Sequence, residues 1–258
     1  MTAPLSRLIA NPAKPLAGLV ALLLLWQYGA PLAGIPRYVL PLPSAIAARF
    51  AETLAVQLGG LAMTGFTTLF GLVLALATGV LMALAVVYVP FLRALIMPFL
   101  AAFNSIPKIA IAPLFVIWFG LGVTSKILLA FLLALFPVFV NALTGLGEIE
   151  PDLIDLSTLA GGTPWRIFLK VRLMNAVPYI TDALKVAFPL ALVGSIVGEF
   201  IGGNDGIGHL ILVGQFDLDT PLVFAALLSI TAFTTLGIGA IALFERSALK
   251  WRPSQRKR

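Results

Sequence analysis

The chain has 258 residues, of which 60% are hydrophobic and only 11% are charged, and its formal net charge is +6. Soluble domains carry about 25% charged residues, so this composition excludes a soluble globular protein and indicates an integral membrane protein. The absence of cysteine excludes disulfide and thiolate chemistry. The only histidine, His209, excludes a histidine-rich metal site.

The chain begins with a basic segment followed by an apolar run. Residues 1–15 carry Arg7 and Lys14, an arrangement that is also found in signal peptides. The apolar run 16–34 lacks a clear small-x-small cleavage site, so we predict that it is retained as a first membrane span.

Apolar stretches of about 20 residues, enough to cross about 30 Å of hydrocarbon, predict the membrane spans. They indicate an all-α protein with about six spans, near residues 16–34, 62–88, 94–118, 127–146, 179–200 and 221–244. The uncharged stretch 53–92 is long for one helix and short for two. We interpret it as one long helix with a break at Gly59-Gly60 near its start, preceded by an amphipathic surface helix from Ser44 to Leu58.

The distribution of Lys and Arg supports six spans. With the N-terminus inside, twelve basic residues fall on cytoplasmic segments, and only Arg37, Arg49 and Lys126 fall on external ones. This positive-inside asymmetry places both the N-terminal segment 1–15 and the basic tail 250–258 in the cytoplasm, with 16–249 as the transmembrane domain. The charge of the tail suits contact with anionic lipid and not with nucleic acid.

A cytoplasmic loop of about 30 residues, 147–178, lies between the fourth and fifth predicted spans; we call it the coupling loop. Pro151 suits the first turn of a helix, and Gly161-Gly162 suits the end of that helix, because glycine readily takes the left-handed conformation of a C-cap. Thr163 can then cap a second short helix. Pro178 is predicted to close the loop and begin the fifth span.

The second helix of the coupling loop mixes apolar with basic side chains. They are Trp165, Ile167, Phe168, Val171 and Leu173, interspersed with Arg166, Lys170 and Arg172. Two helices around a glycine turn, with apolar side chains in the cytosol, suit a partner's groove. From the residues alone, an amphipathic helix lying on the membrane surface is the alternative.

The order of residues in the coupling loop resembles the EAA motif of binding-protein-dependent ABC importers, in which Glu-Ala-Ala is followed by Gly, Phe, Leu-Pro and a final Pro. The corresponding positions are Asp155-Leu156-Ser157, Gly161, Phe168, Leu173-Met174 and Pro178. Asp155 replaces the glutamate of the motif, and Met174 replaces its first proline.

The resemblance to one permease family covers nearly the whole chain. Segments 40–54, 106–146 and 198–211 are similar to permeases that serve nitrate, sulfonate, taurine and thiamine-precursor importers, and "WFGLGVTSKI" at 118–127 is quite specific to them. The resemblance implies the transmembrane fold of a type I ABC importer in a bacterial inner membrane. The implied partners are a second permease copy (a homodimer), two ATPase subunits, and a periplasmic or lipid-anchored substrate-binding protein.

The same resemblance implies a group of residues that contact the ATPase. They are Asp155, Ser157, Gly161, Gly162, Thr163, Trp165, Arg166 and Phe168. The sequence has no GxxxxGK[ST] phosphate loop, so ATP and Mg²⁺ are expected on the partner ATPase, and no cofactor or metal is expected on this chain.

Two other function classes are alternatives to an ABC permease. An intramembrane enzyme would need a nucleophile–base pair, paired carboxylates or a metal cluster, and the sequence has neither HExxH nor GxSxG with a partner histidine. A stand-alone secondary transporter or channel is the alternative, but it would leave the coupling loop without a role.

Polar residues inside the predicted spans are candidates for the translocation pathway or its gate, because intramembrane polar groups usually face the bundle interior. They are Asn104, Lys108, Asn141 and Glu199. For Glu199, at the outer end of the fifth span, a structural hydrogen bond is the alternative. Asp182 and Lys185 are spaced to pair with each other, as an interface anchor or in the pathway.

Two further patterns concern packing and substrate. Gly65, Gly71, Ala75 and Gly79 recur along the second span at helical spacing, which predicts close helix packing either within the subunit or at a dimer seam. The spans contain many phenylalanines and few positive charges, which favours a small organic or aromatic heterocyclic solute over nitrate.

Overall fold

The computed structural model describes residues 13–249, and no strand occurs within that range. The predicted segments 1–12 and 250–258 lie outside the described residues. The helices are α1 Ala13–Leu32, α2 Pro43–Glu52, α3 Leu54–Tyr88, α4 Pro90–Ser105, α5 Ala112–Phe119, α6 Val123–Gly147, α7 Pro151–Leu159, α8 Pro164–Ile167, α9 Leu173–Gly202, α10 Ile207–Phe216 and α11 Thr220–Ala248. A 3₁₀ turn, Lys108–Ile111, precedes α5, and a π-helical turn, Phe168–Arg172, joins α8 to α9.

Four helical segments of the described chain are long and apolar enough to cross a membrane. They are Leu54–Tyr88, Val123–Gly147, Pro164–Gly202 and Thr220–Ser247. The first and third predicted spans correspond instead to shorter apolar helices: Leu16–Leu32 for the first, and Phe91–Leu100 with Lys108–Phe119 for the third.

The stretch 53–92 contains one long helix, α3, from Leu54 to Tyr88, as predicted. The predicted break at Gly59-Gly60 is wrong. The preceding helix α2 ends at Glu52 and not at the predicted Leu58, with Thr53 as its C-cap, whose hydroxyl donates to the Arg49 carbonyl. α3 begins at Leu54. The chain stays helical through both glycines. A Cβ at Gly60 would lie 3.1 Å from the backbone of Gly206, so glycine here serves close approach and not a turn.

The third predicted span is not one helix. It ends at Ser105 and resumes as a 3₁₀ turn after Pro107, whose φ of −62° and ψ of 96° are extended. Proline disfavours helical backbone in the residue before it and cannot donate a hydrogen bond. Pro107 therefore divides the span, and Pro113 stands in the first turn of α5, where proline is tolerated.

The fifth span begins earlier than predicted, because Pro178 does not start it. The chain is helical from Pro164 to Gly202, and Pro178 lies inside α9 together with Pro189. An interior proline costs about 3 kcal/mol of helix stability. Pro178 and its neighbour Ala176 are buried, and packing of this buried face offsets that cost.

The chain divides into two compact units. The first contains residues 13–58 and 210–229. Within it, Gln27 and Ser44 exchange two hydrogen bonds of 3.0 and 3.1 Å, which fix α2 against α1. Arg49 binds the Asp219 carboxylate at 2.6 Å.

The second unit contains residues 59–209 and 230–249, with α6 packed between α3 and α9. A Cβ at Gly71 would lie 2.6 Å from the Ala130 side chain, and one at Gly79 would lie 2.9 Å from Val138. Gly71 and Gly79 therefore pack against α6 within the subunit, and Gly65 packs against Phe233 of the same chain. The small-residue pattern thus serves packing within the subunit.

Candidate functional site

The first helix of the coupling loop ends in a glycine turn. The Gly162 amide donates to the Ser157 carbonyl at 2.9 Å, and the Gly161 amide donates to the Thr158 carbonyl at 3.0 Å, which together form a Schellman motif. Gly161 has a φ of +79°, a left-handed conformation that glycine adopts without strain. A Cβ at Gly162 would lie 2.6 Å from the Ser157 carbonyl oxygen, so both glycines are needed here.

The second helix begins at the predicted cap. The Thr163 hydroxyl accepts from the Arg166 amide at 3.4 Å, with Pro164 in the first turn. Trp165 stacks on Phe168 with ring centroids 5.5 Å apart, and Phe168 meets the ring of Tyr88 at 6.4 Å. The coupling loop is thereby held against the C-terminal end of α3.

Two side chains that sequence reasoning missed attach the coupling loop to the end of α6. Arg172 donates to the Leu146 carbonyl at 3.0 Å, and Asn175 donates to the carbonyls of Gly145 and Glu148 at 2.8 and 3.2 Å. The last carbonyls of a helix have no partner within it, so donors from elsewhere satisfy them. The available signal was Asn175, a polar side chain in the first turn of α9.

The coupling loop exposes apolar side chains around an open cleft. Leu156 is 63% exposed, Leu159 is 86% exposed and Trp165 is 66% exposed. The cleft has a volume of about 320 Å³ and is lined by Ser157, Ala160, Gly161, Gly162, Arg166, Ile167, Lys170 and Val171. Asp155 and Asp152 are exposed on α7. Apolar side chains exposed at this density are typical of a protein interface.

The predicted pathway residues fall in two separate places. Lys108 lies in the 3₁₀ turn, 5.8 Å from the centre of the Phe136 ring, and Asn141 donates to the Pro137 carbonyl one turn earlier in α6. Asn104 lies in α4, and its side chain is outside what the structure describes.

Glu199 lies elsewhere, fully buried near the C-terminal end of α9. Its two carboxylate oxygens accept from the Thr64 hydroxyl and from the Gly208 amide, each at 2.7 Å. It lies close to Lys126, because a Cβ at Gly203 would lie 2.9 Å from the Glu199 Cα and 3.1 Å from the Lys126 Cε. Lys126 is ten residues from Phe136 along α6, or about 15 Å at 1.5 Å per residue. The structure therefore separates Glu199 from Lys108 and Asn141.

Lys126 is a third residue that sequence reasoning missed, because it was assigned only as an external positive charge. It is buried in the first turn of α6, and its ammonium group binds the carboxylate and the backbone carbonyl of Asp205. A cation at a helix N-terminus opposes the helix dipole. That position was the signal that Lys126 needed a partner.

The predicted pairing of Asp182 with Lys185 is present at 2.9 Å. Lys185 also binds Glu245 at 2.7 Å, which links α9 to the last turns of α11. Residues 13–249 hold no group of three or more His, Asp or Glu side chains arranged for a metal ion.

Comparison with known proteins identifies the family. Residues 75–250 match the family described as "Binding-protein-dependent transport system inner membrane component". The chain is 33% identical to the riboflavin transport system permease protein RibX of Chloroflexus aurantiacus. The match covers 92% of this chain and 89% of RibX. It is 31% identical to the formylaminopyrimidine transport permease protein ThiX of Halalkalibacterium halodurans. That match covers 94% of this chain and 97% of ThiX.

A third relative is the putative aliphatic sulfonates transport permease protein SsuC of Bacillus subtilis, 28% identical over 89% of this chain and 84% of that one. The fold is similar to a chain of the MetNI methionine ABC transporter in an inward-facing conformation, with a TM-score of 0.60 and 23% identity over 76% of this chain and 95% of that chain. The chain therefore belongs to the family of binding-protein-dependent transport system inner membrane components, the permease subunits of ABC importers.

Proposed function

We propose that the coupling loop is the ATPase-binding surface of this permease. The single observation that carries the proposal is the pair of short helices around Gly161, which expose Leu159 and Trp165 while Arg172 and Asn175 fix them to α6. A surface of this kind gains binding energy from its apolar side chains, at about 25 cal/mol per Å² buried. Its rigid attachment lets a displacement of the loop pass directly to α6 and α9.

The remaining parts of the importer follow from this assignment. Two copies of the permease form the pathway, one ATPase subunit docks on each coupling loop, and a binding protein delivers the solute from outside. ATP and Mg²⁺ bind to the ATPase. Lys108, Asn141 and Asn104 remain the candidates for the pathway.

The ATPase contact is tested by comparing two exposed leucines. The permease is expressed together with its partner ATPase, and the amount of ATPase that copurifies is measured. Leu159→Asn is expected to reduce it several-fold, because it removes an apolar contact from the proposed interface. Leu218→Asn is the matched control: Leu218 is 74% exposed, lies outside the coupling loop and has a φ of +55° that asparagine tolerates. Equal ATPase recovery with both variants would contradict the assignment.

We further propose a nitrogen heterocycle as the substrate. Two relatives that match nearly the whole chain are named for riboflavin and formylaminopyrimidine. Phe115, Trp118 and Phe119 form an aromatic cluster in α5, directly after the irregular turn at Pro107, and aromatic rings bind flat heterocycles by stacking. Cells that carry the complete transporter are expected to show vanadate-sensitive uptake of labelled riboflavin or formylaminopyrimidine. Uptake of labelled taurine alone would contradict a heterocyclic substrate.

The membrane orientation is tested with reporter fusions. Fusions after Gly34, near Val123 and near Asp205 are expected to report the external side, because these positions lie at the ends of helices that carry few basic residues. Fusions near Arg93, Gly161 and Arg256 are expected to report the cytoplasm. A Gly161 fusion that reports the external side would contradict the proposed ATPase contact.

A further inference from the structure

The external end of the second unit contains a buried hydrogen-bond network that joins three helices. Glu199 of α9 accepts from Thr64 of α3 and from Gly208 of α10, and Thr64 in turn accepts from the Ile207 amide at 2.9 Å. The first two amides of α10 are thus satisfied by side chains of α9 and α3. Because all of these groups are buried, water cannot replace a lost partner without cost.

The backbone packs so closely around Glu199 at three glycines that none of these positions has room for a side chain. A Cβ at Gly203 would lie 2.9 Å from the Glu199 Cα, and one at Gly208 would lie 2.7 Å from a Glu199 carboxylate oxygen. Gly206 has a φ of +106°, and a Cβ there would overlap the carboxyl group itself. The segment 203–208 is therefore wrapped around Glu199.

Lys126 adds α6 to the same network. Its buried ammonium group binds Asp205 in the wrapped segment, and its Cα would lie 2.9 Å from a Cβ at Gly198 of α9. Glu199 and Lys126 also meet at Gly203, where a Cβ would lie 2.9 Å from the Glu199 Cα and 3.1 Å from the Lys126 Cε. The buried Lys126 ammonium group and the buried Glu199 carboxyl group thus hold one external segment to both α6 and α9.

The α6–α9 pair continues without a gap to the coupling loop. A Cβ at Gly194 would lie 2.5 Å from the Leu129 carbonyl oxygen, and one at Gly145 would lie 2.8 Å from the Ala176 Cα. At the cytoplasmic end, Arg172 and Asn175 bind the last carbonyls of α6. The two helices are consequently fixed to each other at both ends and in the middle.

From these contacts we infer that Glu199, Thr64 and Lys126 are positioning residues, which carry movement of the coupling loop to the external segment 203–208. The inference rests on the proposed ATPase contact. When the ATPase displaces the loop, α6 and α9 move together, and the buried network makes the segment and the start of α10 follow. Without the network, the segment would no longer follow the movement, although the coupling loop and its ATPase contact would remain.

Two single-cysteine reporters test the inference, since the chain has no cysteine of its own. A spin label at Glu150→Cys reports the coupling loop, and one at Asn204→Cys reports the external segment; both positions are exposed. The permease–ATPase complex is placed in lipid nanodiscs, and spectra are recorded without nucleotide and after trapping with ATP and vanadate. In the otherwise unchanged protein, both labels are expected to respond to trapping.

Thr64→Val and Thr68→Val form a matched pair, one turn apart on α3. Both threonines are buried, but the Thr68 hydroxyl has no hydrogen-bond partner in the described part of the chain. The Glu150 label is expected to respond in both variants. The response of the Asn204 label is expected to be lost in Thr64→Val and retained in Thr68→Val, with Glu199→Gln behaving like Thr64→Val. If these residues had only a structural role, the substitutions would lower the yield of the complex, and the two labels would still respond alike.

The two possible failures are distinguishable. If the Glu150 label does not respond in the unchanged protein, the proposed ATPase contact is wrong, and the inference falls with it. If both labels respond equally in Thr64→Val, Glu199→Gln and Thr68→Val, the ATPase contact stands and the inference alone is overturned.

Discussion

Gly194→Ala is expected to prevent the second unit from packing. The added Cβ would lie 2.5 Å from the Leu129 carbonyl oxygen and 2.8 Å from the Ala130 Cα, both backbone atoms of α6 that cannot rotate away. Over-packing a core usually costs about 1–3 kcal/mol, and the upper end or more is expected where the obstacle is backbone. The measurement is the thermal unfolding midpoint of the purified protein in detergent, together with the fraction that elutes as a single species.

Gly59→Ala is the matched control for this substitution. Gly59 is also a helical glycine of the second unit, but no atom lies within 4 Å of a Cβ placed there. Alanine is favoured over glycine in a helix by about 0.8–1.0 kcal/mol, so the midpoint of Gly59→Ala is expected to be unchanged or higher. If Gly194→Ala unfolds at the same temperature as Gly59→Ala, the packing of α9 on α6 is not as close as described.

Gly161→Val is expected to leave the protein in the membrane while abolishing coupling to the ATPase. A residue with a Cβ pays roughly 1–2 kcal/mol in the left-handed conformation, and a β-branched residue is still less compatible with it. Since 1.4 kcal/mol changes an equilibrium about tenfold, the turn opens and the positions of α7 and α8 change. ATPase activity stimulated by the binding protein is expected to fall at least about tenfold.

Gly161→Asn tests whether coupling requires the left-handed backbone conformation at position 161 or glycine itself. Asparagine tolerates positive φ better than other residues, and nothing lies within 4 Å of a Cβ at Gly161, so its side chain has room. The Asn variant is expected to retain most of the stimulated activity. Stimulated activity in the Val variant equal to that of the Asn variant, or loss of the Val variant from the membrane, would show that the turn conformation does not control coupling.

The coupling loop could be predicted from sequence because its signals are local. Pro151, Gly161, Thr163 and Pro164 each act on the backbone within a few residues, and each lies in the structure where those rules place it. The positive φ at Gly161 follows from the same rules. A turn of this kind does not depend on the rest of the fold.

The attachment of the loop and the burial of Lys126 depend on residues far away in sequence. Arg172 and Asn175 meet carbonyls 26 to 30 residues away, and Lys126 meets Asp205 across 79 residues. No periodicity in the sequence encodes these pairings. The misplaced boundaries at Gly59-Gly60 and Pro178 have a similar cause, since helix breakers act locally but tertiary packing decides whether they are tolerated.

The continuous helix from Pro164 to Gly202 has a consequence for the response to bilayer thickness. Its 39 residues measure about 58 Å at 1.5 Å per residue, against a hydrocarbon core of about 30 Å. A helix this long extends beyond the hydrocarbon core into water at both ends, in thin and in thick bilayers. The position of its ends therefore does not depend on the length of the lipid chains. The distance between the two ends of this helix is therefore set by its own backbone and not by the thickness of the hydrocarbon core.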